Sequence, residues 1–123
     1  MITEDYVSFE TAKLLREKGF DGKCKRFANL DTFKNGYDST KIITSKNLLK
    51  DEILFPTVQM AMKWLREEHN LWIDIDPLTG NKWTWSIWLM NDPTQKMGES
   101  LEIISNYNEA CEAAIKYCLE ILI

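Results

Sequence analysis

Residues 71–90, LWIDIDPLTGNKWTWSIWLM, constrain this chain more than any other stretch. Successive strand side chains point to opposite faces, so period-two alternation assigns each residue to a side. In LWIDID, Leu71, Ile73 and Ile75 share one face, while Trp72, Asp74 and Asp76 share the other. In WTWSIWLM, Trp83, Trp85, Ile87 and Leu89 stand against Thr84, Ser86, Trp88 and Met90. The linking PLTGNK carries turn chemistry at Thr79-Gly80-Asn81, which predicts an antiparallel hairpin. Residues directly opposite in such a pair project to the same side. Apolar sides match when Ile75 faces Trp85 and Ile73 faces Ile87, and a one-residue slip would bury the aspartates.

This register divides the tryptophans. Trp83 and Trp85 join the core with Leu71, Ile73 and Ile75. Trp72 and Trp88 fall opposite each other on the polar face, with Asp74 beside Ser86 and Asp76 further along. Two rings on such a face are either covered by a helix, a loop or a second copy of the chain, or displayed as a platform. Aromatic faces flanked by carboxylates suit a small flat or cationic ligand, and Trp is a favoured anchor at protein interfaces. The candidate binding residues are therefore Trp72, Trp88, Asp74, Asp76 and Ser86. The expected partner is another protein, most simply a second copy in a two-fold homodimer.

Three segments have helical periodicity. SFETAKLLREKGF predicts a first helix capped by Ser8, with Glu10 near its positive end and Gly19 at the left-handed C′ position before Phe20. Phe9, Ala12, Leu14 and Leu15 give it an apolar face. PTVQMAMKWLREEHN predicts a second, with Thr57 as N-cap, Asn70 at its end and a Val58, Ala61, Met62, Leu65 stripe widened by Trp64. NYNEACEAAIKYCLEIL predicts the third, capped by Asn106 with Glu109 at the capping-box spacing. Its buried face is expected along Ala110, Ala113, Ala114, Tyr117 and Ile121. KCKRFANL reads as a strand ending in a turn at Asn35-Gly36, and KIIT as a short strand. DEILF leads into the second helix, NDPTQKMGES reads as a polar loop and LEIIS as a further strand. The expected architecture is α+β: an antiparallel sheet of three to four strands with three helices packed mainly on one face, in a single domain over 1–123.

Composition narrows the chemistry. The net charge of −4 is unevenly spread: residues 1–50 hold ten basic against seven acidic side chains, and 51–123 hold five against twelve. An acidic half that carries every tryptophan weighs against nucleic acid as the main partner. The basic cluster Lys23, Lys25 and Arg26 reads as solvated surface rather than a phosphate clamp. No apolar run approaches a spanning helix, and the opening MITEDYVSFE lacks the pattern of a secretory signal. Cys24, Cys111 and Cys118 have no CxxC spacing and read as buried thiols in a reducing cytoplasm.

No nucleophile elbow, P-loop, dinucleotide fingerprint or HExxH motif occurs, so the reading includes no cofactor and no resident metal. His69, in the last turn of its helix, is placed to meet the dipole or solvent. Asp74 and Asp76 lie about 7 Å apart on one strand face. They support an alternative reading as a small metal-dependent hydrolase or nuclease, with Glu67 or Glu68 as a further acid. SFETAKLLREKGF, PTVQMAMKWLREEHN and NEACEAAIKYCLEIL resemble small uncharacterised proteins encoded by phages and prophages of gut Bacteroidetes. That resemblance implies an accessory protein of a bacterial cytoplasm and supplies no catalytic residue.

Overall fold

The structure, a computed structural model, describes residues 5–30 and 33–123, except for the side chains at 33–37, 40, 41, 45 and 93. Residues 1–4, at the start of the acidic opening, lie outside it. The fold is α+β, as expected, with three α-helices and antiparallel sheets. Among the described residues, six strands form two sheets of three, and the chain divides into two compact units, Met1–Ala61 and Met62–Ile123.

In the first unit, α1 (Phe9–Glu17) starts where Ser8 Oγ accepts from Thr11 N at 3.2 Å. It ends at Gly19, whose φ of +88° lets Gly19 N donate to Arg16 O and Phe20 N to Leu15 O. Thr11, Ala12 and Leu15 are buried, while Phe9 and Leu14 are only half-buried. The sheet has the order β2-β1-β3, from β1 (Cys24–Asn29), β2 (Phe33–Ile43) and β3 (Glu52–Leu54). Its core includes Val7, Ala28, Ile53 and Phe55.

Two expectations in this unit are corrected. Asn35-Gly36 is not the turn: both residues lie inside β2, and Asn29 pairs with Phe33. β1 ends at Asn29 and β2 begins at Phe33, and of the residues between them Asp31 and Thr32 lie outside the described residues. Asn-Gly is a strong turn signal, but here β1 claims β2 as partner on both sides of it. KIIT belongs mostly to the same long strand, and DEILF supplies β3 rather than a mere lead-in to the helix. Its pairing of Ile53 with Ala28 needs a distant partner, which local pattern does not reveal.

Helix α2 (Val58–His69) runs from the first unit into the second. Thr57 caps it, accepting from Met60 N at 3.1 Å, and Asn70 ends it in the left-handed region at φ 58°. Val58, Ala61 and Leu65 are buried along the expected stripe, with Met62 and Trp64 half-buried.

The second unit contains β4 (Leu71–Leu78), β5 (Lys82–Leu89), β6 (Asp92–Glu99) and α3 (Tyr107–Tyr117). The hairpin has the expected register, with Ile75 opposite Trp85, Ile73 opposite Ile87 and Trp72 opposite Trp88. Its loop, 79–81, uses Gly80 and Asn81 at positive φ. Helix α3 packs on β4 and β5, with the Tyr117 ring 5.2 Å from that of Trp85. Gly98, opposite Ile87 in β6, lies beneath Tyr117: a Cβ there would come within 2.5 Å of the ring.

Three readings of this unit change. NDPTQKMGES is not a loop but forms the edge strand β6, order β4-β5-β6. Two register irregularities against β5 break its alternation, and Pro93 is tolerated because an edge strand has an unpaired side. LEIIS is not a strand: only Ile104 pairs, in an isolated bridge to Trp83, and Leu101 is 98% exposed. The α3 core face runs through Ala110, Cys111, Ala114 and Ile115, continued by Cys118 and Leu119 in a final π turn, Cys118–Leu122. Ala113 and Tyr117 are half-buried and Ile121 is exposed, so the expected stripe was rotated from the buried one. Asn108, Glu109, Glu112, Lys116 and Glu120 give the helix one polar stripe, but the apolar arc beside it is wide enough for spacing alone to support either of its edges.

Candidate functional site: an aromatic sheet face

The hairpin register places Trp72, Asp74, Ser86 and Trp88 together on the side of the sheet opposite Trp85 and Ile87. Asp74 lies directly across from Ser86, and Asp76 across from Thr84. Trp72 is 43% exposed, while Trp88 is half-buried. The Trp88 indole N–H donates to Ser86 Oγ at 3.0 Å, which satisfies both polar groups where Ser86 is buried. Leu78 and Met90 extend the face by parity at its two ends and are 43% and 45% exposed.

The structure adds charged neighbours that the sequence reading missed. Arg66, near the end of α2, holds its guanidinium 5.4 Å from the centre of the Trp72 ring. Lys96, opposite Trp88 in β6, holds Nζ 5.2 Å from the centre of that ring. Glu99, opposite Ser86, fixes this ammonium with an ion pair of 2.9 Å. Each ring therefore has a cation of its own, attracted to the negative ring face. Arg66 lies six positions before Trp72 in the sequence, but Lys96 and Glu99 become visible only once β6 is known to be a strand.

Among the described residues, the Asp74 and Asp76 carboxylates make no ion pair or side-chain hydrogen bond. No three His, Cys, Asp or Glu side chains among the described residues come together as a metal site. Glu67 and Glu68 are exposed on α2 and do not complete a cluster with the two aspartates. His69 sits half-buried with its ring edge-on to Trp64 at 4.7 Å. All three cysteines are buried and in no disulfide; desolvation pushes the thiols of Cys24 and Cys118 up to about 12.

The basic cluster separates into different environments. Arg26 Nε donates to Asp38 Oδ1 at 2.9 Å, and its guanidinium lies 3.8 Å from the centre of the Tyr6 ring. That hydrogen bond holds the Asp38 carboxyl below its ordinary range and raises Arg26. Lys23 and Lys25 are exposed and make no ion pair among the described residues. No described helix is long and apolar enough to cross a membrane. Comparison with protein-family models, with curated proteins and with solved structures finds no match for this chain.

Proposed function

We propose that the protein is a non-catalytic interaction module whose Trp72–Trp88 face binds another protein, most simply a second copy of itself. The observation that carries this reading is the exposure of Trp72, Leu78 and Met90 on the face opposite α3. Exposed aromatic and apolar side chains with a charged rim are typical of protein interfaces. The rim also fits a two-fold pairing, because Asp74 and Asp76 of one copy are complementary to Arg66 and Lys96 of the other. A small cationic ligand is less well served, since it must displace cations already resting on the rings. Among the described residues, no third acid joins Asp74 and Asp76 to support the metal-dependent alternative. Buried thiols are compatible with a cytoplasmic accessory role of the kind the helix resemblance implies.

Trp72 is the residue to test, because Trp88 is also tied into its own sheet. In sedimentation velocity at micromolar concentration, the wild type is expected to run as a dimer and Trp72→Ala as a monomer with unchanged circular dichroism. A monomeric wild type, or a dimer indifferent to Trp72→Ala, overturns self-association through this face.

A further inference from the structure

A cavity of about 350 Å³ lies within the first unit and shares no lining residue with the aromatic face. Its lining includes Tyr6, Ile42, Phe55 and Met60, with Lys23 and Lys25 beside them. One wall comes from an irregularity in the sheet. Cys24 pairs with Ile43 and Arg26 with Asp38, so Lys25 alone lies opposite residues 39–42 of β2. Such bulges bend a strand and re-aim its side chains, commonly beside binding sites. Here the bulge includes Ile42, an apolar residue 59% exposed at the cavity.

The polar groups around this cavity are unequally occupied. Thr57 Oγ1 already accepts from Met60 N, and Val58 N donates to Asp5 O at 2.8 Å, so these groups at the start of α2 are used internally. Arg26 is engaged by Asp38 and Tyr6. Lys23 and Lys25 have no counterion among the described residues. Cys24 also lines the cavity, but its thiol is protonated at neutral pH and is no nucleophile.

We propose that this cavity binds a small amphiphilic anion, with an apolar chain or single ring against Tyr6, Phe55 and Met60 and a carboxylate or phosphate against Lys23 and Lys25. The volume is in the lower part of the range of about 300–1,000 Å³ found for small-molecule sites. Apolar burial supplies affinity and the two ammonium groups select the charged head. The site is independent of the aromatic face and requires no dimer.

The test is a methyl NMR titration of the full chain with octanoate and, separately, phenyl phosphate, using octanol and phenol as the neutral counterparts. A saturable shift of the Met60 methyl signal is expected with at least one anion, at an affinity about tenfold above its neutral counterpart. Replacing both lysines, Lys23→Ala with Lys25→Ala, should remove that advantage while leaving circular dichroism unchanged. The preferred anion distinguishes a chain carboxylate from an aryl phosphate. Absence of a saturable shift with either anion overturns the proposal. So does equal binding of the neutral alcohol, or anion binding unaffected by the double substitution.

Discussion

Trp88 is held from two directions by its own sheet. Its indole N–H donates to Ser86, and Lys96 sits over its ring under the restraint of Glu99. Ser86 is buried, so removing its hydroxyl leaves the indole donor short of a partner at a site with restricted water access. Ser86→Ala is therefore expected to cost about 1–2 kcal/mol, read from the urea midpoint. A midpoint shared with the wild type would show that solvent already serves this N–H. The same residues show what alternation can reveal. Parity places Trp88 across from Trp72 and Asp74 across from Ser86, because the two strand sequences determine each face. The cations above the rings were not legible, since one comes from a helix and the other from a strand with an irregular register.

The helix caps, which have a local signature, were read correctly from the sequence, whereas the local Asn35-Gly36 signal misled and strands defined by a distant partner were missed. Ser8, Thr57 and Asn106 cap their helices through contacts three residues away, which a sequence displays directly. Strands β3 and β6 depend on pairing with β1 and β5, and their residues carry little pattern of their own. The rotated face of α3 is a third kind of case, in which too many apolar positions leave spacing undecided. Burial resolves it: Ala114 is fully enclosed, whereas Ala113 is half-buried. Ala114→Leu should therefore overpack the helix against its neighbours and cost about 1–3 kcal/mol. Ala113→Leu should cost distinctly less, and thermal melts of the two variants compare them. Equal losses would mean that the buried face lies between the two alanines.

At the scale of the whole molecule, burial of uncharged thiols in both units links stability to alkaline pH. Cys24 lies in the first unit and Cys118 in the second, and desolvation moves each from an ordinary value of 9.0 to about 12. Above pH 9 the unfolded chain releases these protons while the folded chain retains them, so the unfolded state binds fewer protons and is favoured as pH rises. The contribution is fully present below the unfolded value and is lost progressively between pH 9 and about 12. Each thiol contributes a slope of up to about 1.4 kcal/mol per pH unit in that window. Lysines and tyrosines titrate in the same range, so the informative quantity is the difference between wild type and single variants. Cys24→Ala and Cys118→Ala remove one thiol each while keeping a small apolar side chain. Urea midpoints at pH 8 and pH 10.5 should fall more in the wild type than in either variant, whatever offset the substitutions impose at pH 8. Parallel declines in all three proteins would mean that neither thiol is kept protonated by burial.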